Sequence, residues 1–341
     1  MEHLVRPSIR KLKPYSSARH EYSGRAEVYL DANENPYPTG YNRYPDPLQL
    51  DLKNKISSIK KVNLDQIFLG NGSDEPIDLL FRIFCQPIED HVLILPPTYG
   101  MYEVAAQIHD TPIIPIPLND EFQPDYDKIM EKASPHAKIL FLCSPNNPTG
   151  NLLNPLTVER LIQSFPGIVV VDEAYIDFAS SPSFTAKIRE YPNLVVLQTL
   201  SKAWGLAGLR LGMAFAHPSI INYMNRVKAP YNLSSLTQST VIDMLNQSPA
   251  PHIESIIAER EYLENKLMSF SFVKKIFPSH ANFLLVQCTD ANGLYHYLLS
   301  QGIVIRNRSS VPGCSNCVRI TVGTKEENQS LLNALGKFAP L

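Results

Sequence analysis

Residues 198–212 read QTLSKAWGLAGLRLG. Just before them, Val195, Val196 and Leu197 have the continuous apolar character of a buried strand. A polar run of Gln198, Thr199, Ser201 and Lys202 follows at once. Gly205, Gly208 and Gly212 come next, with Arg210 among them. A solvated lysine ordinarily sits among other charges. This one sits among small residues just past a strand. Such a lysine can form a Schiff base when its surroundings lower its pKa. Ser201 and Arg210 suit the two sides of a phosphate, one as a hydroxyl donor and one as a planar cation. Glycines let the backbone come close to a bound group. The same stretch also reads as a glycine-rich loop with an incidental lysine, and the remainder of the chain has to decide between the two.

Upstream, apolar runs alternate with helical patterns from about residue 65 to 215. Strands are expected at 67–69, 91–95, 137–143, 168–171 and 194–197, and a proline-interrupted one at 111–117. Helices are expected at 48–59, 129–132 and 158–164, and after residue 75, where Ile77, Leu80, Phe81 and Phe84 recur at helical spacing. This alternation argues for a largely parallel α/β sheet. Ligands of such sheets bind at the carboxyl ends of the strands. Asn147, Asp172 and Lys202 each follow a strand and so fall on one rim. GNGSDE at 70–75 precedes a helix that Ser73 or Asp74 can cap, with Pro76 in its first turn. That is a phosphate site in outline, and equally an ordinary capped helix. Tyr99, in PPTYG, is either a core tyrosine or a ring for an aromatic ligand.

Residues 1–28 read as an arm or short helix, and 28–32 (VYLDA) as a short strand broken by ENPYPTG. YPDP at 44–47 is a second rigid break. After about residue 230 the alternation becomes irregular: a long helix at 253–270, strands at 283–286, 304–306 and 318–322, and helices at 294–300 and 328–338. That suits a smaller α+β lobe.

With 341 residues the chain exceeds one ordinary core and suggests two domains. A formal charge of −2 gives no electrostatic reason to expect nucleic acid or an anionic membrane as partner. No apolar run approaches the ~20 residues of a membrane span, and the first residues lack the apolar core of a signal peptide. Five cysteines, an odd and low count, fit a reducing compartment. Cys314 and Cys317 form an isolated C-x-x-C, and the nine histidines show no H-x-x-x-H or H-E-x-x-H spacing, so no metal is expected.

The lysine stretch resembles the motif of the fold-type I pyridoxal-phosphate enzymes, the aspartate aminotransferase superfamily. Such a cofactor needs a lysine, a carboxylate for its ring nitrogen, donors for its phenolic oxygen, a ring neighbour and an anion site. Each has an occupant here. The resemblance narrows to the histidinol-phosphate aminotransferase family of the class II aminotransferases. It is carried by LDANENPYP (30–38), RYPDP (43–47), GNGSDE (70–75), PPTYGMY (96–102), SPNNPTG (144–150), VVDEAYIDF (170–178), TLSKAWGLAGLRLG (199–212) and VRITVGT (318–324). The N-terminal pieces and VRITVGT are the more specific ones, and Trp204 stands where that family more often has phenylalanine.

The resemblance implies a large domain with a mostly parallel central sheet plus a smaller α+β domain. An arm at 1–40 would join part of the small domain, 41–235 would form the large domain and 236–341 the small one. It implies that Lys202, Asp172 and Tyr175 are catalytic. Ser73, Asp74, Tyr99, Asn147, Thr199, Ser201 and Arg210 would hold pyridoxal 5'-phosphate with them. Tyr44 would reach the cofactor phosphate of the neighbouring subunit. Tyr15, Asn33, Asn147, Arg306 and Arg319 would meet substrate. The implied reaction exchanges an amino group between histidinol phosphate and 2-oxoglutarate, giving imidazole-acetol phosphate and glutamate, in a cytoplasmic homodimer of histidine biosynthesis. A threonine-phosphate decarboxylase or an aromatic aminotransferase on the same fold is the alternative.

Overall fold

The computed structural model describes residues 2–13 and 27–339. Its centre is a seven-stranded sheet of order β1-β7-β6-β5-β4-β2-β3. The strands are β1 (Ile67–Asn71), β2 (His91–Ile94), β3 (Ile113–Pro115), β4 (Ala137–Cys143), β5 (Ile168–Asp172), β6 (Leu194–Thr199) and β7 (Leu211–Ala216). β5 is buried along its whole length, as a central strand covered on both faces must be. Side chains of successive residues leave opposite faces of a strand. Accordingly Val169, Val171, Leu140 and Leu142 join one buried cluster, and Ile168, Val170, Ile139 and Phe141 join the other. Two cores therefore sandwich the sheet.

Six strands run in one direction, and β7 alone runs against its neighbours β1 and β6. The sequence reading places no strand here. Its Gly212 has a specific reason. A Cβ on Gly212 would lie 2.2 Å from the Gly72 carbonyl carbon and from the Ser73 nitrogen. No side chain fits there, and β7 can pair with β1 only because this position has none.

The helices of this unit are α1 (Pro7–Arg10), α2 (Leu50–Lys60), α3 (Asp74–Phe84), α4 (Met101–Ile108), α5 (Tyr126–Lys132), α6 (Pro155–Ser164), α7 (Pro218–Val227) and α8 (Ser235–Met244). α3 carries Asp74 and Glu75 in its first turn, where the helix dipole favours acids. The Asn154 side chain caps α6 by accepting from the Leu156 and Thr157 amides. Val241 of α8, together with Leu245, packs into the same cluster as β1 and β4, and Leu4 and Val5 pack with α3.

The remaining elements form a second unit: α9 (Ala250–Leu267), β8 (Val273–Ile276), β9 (Phe283–Cys288), α10 (Ala291–Ser300), β10 (Arg306–Asn307), β11 (Cys317–Thr321) and α11 (Lys325–Leu335). The four strands are antiparallel in the order β10-β11-β9-β8. α9, α10 and α11 close a separate apolar core on them through Leu263, Leu294, Leu298 and Leu331. Thr324 and Glu327 form a capping box that starts α11. The strand expected at 304–306 is reduced to Arg306–Asn307.

The strand expected at 28–32 does not form. No neighbouring strand offers it a ladder among the described residues, and Val28 and Leu30 are 71% and 88% exposed. The segment is instead tied by Glu34, whose carboxylate accepts from Arg43 at 2.7 Å and from the Tyr44 amide at 2.6 Å.

Candidate active site

β1, β4, β5 and β6 are mutually parallel, so their carboxyl ends lie on one rim. A cavity of about 510 Å³ opens there, a size within the ~300–1,000 Å³ typical of small-molecule sites. Its walls come from both units of the chain.

Asp172, the last residue of β5, forms the floor and is 2% exposed. The Tyr102 hydroxyl donates to it at 2.7 Å, and the Ala174 amide at 3.1 Å. No basic side chain lies within ion-pair distance of it among the described residues. Burial raises its pKa above the ordinary 3.8, and the Tyr102 hydrogen bond pulls against that. A buried carboxylate that faces a cavity with no cation in ion-pair contact is suited to a cationic ring nitrogen. Behind it, Glu173 is buried as well. It accepts from Ser183, the Phe184 amide and Gln198, and burial pushes it up to about 7.

Lys202 projects from the loop after β6 into the open cavity, its ammonium 5.8 Å from the centre of the Tyr175 ring. Its surface is reachable through the cavity mouth while protein surrounds its sides. Its pKa is lowered, first by desolvation, then by the charges of Arg319 and Arg210. Both effects favour the neutral, nucleophilic amine.

One end of the cavity is built for an anion. Gly72, Ser73 and Asp74 enter α3 there, and Ser73 makes no side-chain cap of its own. Ser201 lies beside them, its amide donating to Thr199 Oγ1 at 3.1 Å. Arg210 adopts the left-handed conformation, φ 53°, while its carbonyl accepts from the Gly72 amide at 2.6 Å. A Cβ on Gly72 would meet the Arg210 guanidinium at 2.5 Å, so this glycine keeps the corner open. Tyr99 covers one side of the cavity and donates to Asp74 at 3.1 Å.

Opposite Tyr99, Asn147 and Tyr175 lie 3.4 Å apart, amide nitrogen to hydroxyl. The Arg319 guanidinium donates to the Asn147 side-chain oxygen. Burial pushes the Tyr175 hydroxyl upward, so it stays a donor at neutral pH. At the mouth, Arg306 and Arg319 are directly opposite one another across β10 and β11.

The structure thus brings Ser73, Asp74, Tyr99, Asn147, Asp172, Tyr175, Thr199, Ser201, Lys202, Arg210, Arg306 and Arg319 to one cavity. It does not bring Asn33 or Tyr44 there. Asn33 is exposed at φ 54°, and Tyr44 is 50% exposed and stacked on Tyr231 at 4.4 Å. Tyr15 lies outside the described residues. Sequence reasoning missed Tyr102 and Arg308. Tyr102 lies in the first turn of α4, just beyond Tyr99, and the two rings meet edge to face at 5.5 Å. Arg308 is two residues beyond Arg306, the spacing at which strand side chains do. Cys314 and Cys317 are free, buried thiols that burial raises to about 11 and about 12.

Comparison with known proteins agrees with this geometry. The chain is 50% identical to histidinol-phosphate aminotransferase of Bacteroides fragilis over 341 residues, 99% of each chain. It is 50% identical over 337 residues to the protein of that name from Parabacteroides distasonis, 98% of each chain. Its fold superimposes on the crystal structure of histidinol-phosphate aminotransferase from Clostridium acetobutylicum with a TM-score of 0.80 and 27% identity, covering 87% of this chain and 90% of that one. The family model described as aminotransferase class I and II matches residues 26–335, a span that holds every wall of the cavity. With a lysine facing a buried aspartate across that cavity, and a match of this extent, the chain belongs to the class I and II aminotransferases.

Proposed function

We propose that this chain exchanges an amino group between histidinol phosphate and 2-oxoglutarate, with pyridoxal 5'-phosphate held on Lys202. The observation that carries the reading is the placement of Lys202 between the buried Asp172 carboxylate and a mouth rich in arginine. The relatives' names supply the phosphorylated donor. When bound, the cofactor supplies an aldehyde that takes up the amino group and a ring that accepts electrons from a substrate C–H bond.

The chain's own residues do the remainder. Asp172 stabilises positive charge on the ring nitrogen, and Tyr102 holds that carboxylate in place. The Ser73 and Asp74 amides, the Thr199 and Ser201 hydroxyls and Arg210 hold the phosphate. Tyr99 covers the ring face. Tyr175 and the Asn147 amide donate to the phenolic oxygen. Lys202, with its lowered pKa, would accept the proton of the substrate Cα as general base and give a proton back as general acid. Arg319 and Arg306 meet the α-carboxylate of glutamate, or the phosphate that histidinol phosphate carries instead. Because Arg319 also holds Asn147, an anion at the mouth is linked through one side chain to the cofactor's oxygen.

A donor panel with 2-oxoglutarate as acceptor tests the reading. Glutamate should form fastest from histidinol phosphate, and more slowly from phenylalanine or tyrosine. Release of carbon dioxide from threonine phosphate without glutamate formation would sink it in favour of a decarboxylase.

The active form in this reading is a cytoplasmic homodimer completed by Tyr44 of the neighbouring subunit. Tyr44 stands outside its own cavity, and Val28, Leu30, Tyr37 and Tyr41 around it expose large apolar surface that a second copy would cover. Five reduced cysteines support the cytoplasm. A hybrid dimer checks the crossing. Lys202→Ala and Tyr44→Phe subunits, each weak alone, should regain activity on mixing, because one of the two sites then has both residues intact. A verified hybrid with no recovery would place Tyr44 within its own subunit's chemistry.

A further inference from the structure

Three guanidinium groups gather at the cavity mouth, from Arg306, Arg308 and Arg319. β10 pairs Arg306 with Arg319, and the ladder continues one step further, the Arg308 amide donating to the Cys317 carbonyl at 2.8 Å. Extended backbone therefore carries Arg308 to the same face as Arg306. None of the three has a carboxylate partner among the described residues. Two of them, Arg308 and Arg319, bury an Nε–H that donates to nothing. Buried donors are nearly always satisfied, so these two await an acceptor. Three like charges at one mouth also repel one another. Desolvation, then Arg319 and Arg306, make the charged form of Arg308 costlier. A chain retains such a cluster where a ligand's negative charge relieves it.

A glutamate carboxylate has two oxygens and one charge, which Arg319 with Arg306 would more than balance. A phosphate monoester has three oxygens and close to two charges. We propose that Arg308 is a substrate-specificity residue that makes the third guanidinium contact to a phosphate monoester dianion, and that carboxylate substrates do not need it. This rests on the phosphorylated donor of the reading above. It adds to that reading a residue that discriminates between the two substrates sharing one site.

The test uses Arg308→Gln, which keeps a planar donor but removes the charge, and Arg308→Lys, which keeps the charge. Each cofactor-loaded variant is assayed with histidinol phosphate, with unphosphorylated histidinol and with glutamate. Binding of inorganic phosphate to the loaded enzyme is measured in parallel through its shift of the cofactor absorbance. Loss of one charged hydrogen bond should cut kcat/KM for histidinol phosphate about ten- to a hundredfold in Arg308→Gln. Histidinol and glutamate should stay within about twofold, since neither depends on the lost contact. Arg308→Lys should restore part of the loss. Inorganic phosphate should bind Arg308→Gln more weakly than the native enzyme. Equal loss with all three donors would show a structural role and overturn the proposal. A native enzyme that does not favour histidinol phosphate over histidinol would instead refute the donor assignment. The phosphate titration then decides on Arg308 alone: weaker binding in the variant upholds it and unchanged binding overturns it.

Discussion

Replacing Lys202 with alanine should abolish turnover while leaving the fold and the cofactor's phosphate site in place. Proton transfer by a positioned group contributes about 10²–10⁴-fold. Lys202 also supplies the covalent hold on the cofactor, so the loss should be at least about 10⁴-fold in kcat. The side chain is suited to both tasks because desolvation, Arg319 and Arg210 lower its pKa. Those neighbours surround it without bonding it: no hydrogen bond or ion pair fixes its ammonium among the described residues, so it can swing within the cavity. The variant should still bind cofactor, since Ser73, Ser201 and Arg210 form the anion corner independently. Borohydride should fix the cofactor to Lys202 in the native enzyme, as peptide mapping would show, and to nothing in the variant. Lys202→Arg keeps a cation there and should be equally inactive, since guanidinium is neither nucleophile nor base at neutral pH. Turnover of Lys202→Ala within tenfold of native would remove Lys202 from the chemistry.

Much of this site was legible because its residues mark where apolar runs stop. Strands β4, β5 and β6 each hold an unbroken apolar run, at 139–143, 168–171 and 194–197, and Asn147, Asp172 and Lys202 come after these runs in turn. A parallel sheet puts such ends on one rim, so three separate motifs predicted one place. What was not legible depended on pairing. Residues 28–32 alternate like a strand, yet strand formation needs a partner, and none lies beside them among the described residues. β7 was hidden for the opposite reason: Gly212 weakens its pattern, and only its contact with Gly72 explains the glycine. Helix α8 was missed because its sequence, SLTQSTVIDM, buries Val241 alone. Tyr102 looks like one more core aromatic. It is one, stacked on Phe141 at 4.4 Å, but its hydroxyl also reaches Asp172, and only three dimensions show both. Arg308 sits in a stretch whose charges and turn residues resemble an ordinary surface loop. Its meaning comes from β11, which turns that loop toward the cavity.

Asp172→Asn should separate activity from stability. Asparagine has the same shape: its one oxygen can accept from the Ala174 amide, and the Tyr102 hydroxyl can turn to accept from its NH2. What it lacks is the charge that holds a proton on the cofactor's ring nitrogen. Breaking a buried charge pair by removing one partner costs about 3–5 kcal/mol. Applied to the reaction barrier, that is roughly two to three and a half orders of magnitude in kcat. Stability of the cofactor-free chain should move the other way. Burial raises the Asp172 pKa above 3.8, so the folded chain binds this proton more tightly than the unfolded chain does. The sign follows: the carboxyl's contribution to stability is fully present below 3.8 and is lost as pH rises through its raised folded pKa. Asparagine removes that dependence. The cofactor-free variant should therefore melt at or above the native temperature at pH 7, with a flatter response to pH on the acid side. Loading the cofactor should raise the native melting temperature more than that of the variant, because only the native chain gains the ion pair. Activity within tenfold of native would show that Asp172 does not serve the ring nitrogen. A cofactor-free variant that melts well below native would show that the carboxylate is a structural anchor, paired more favourably in the folded chain than its burial implies.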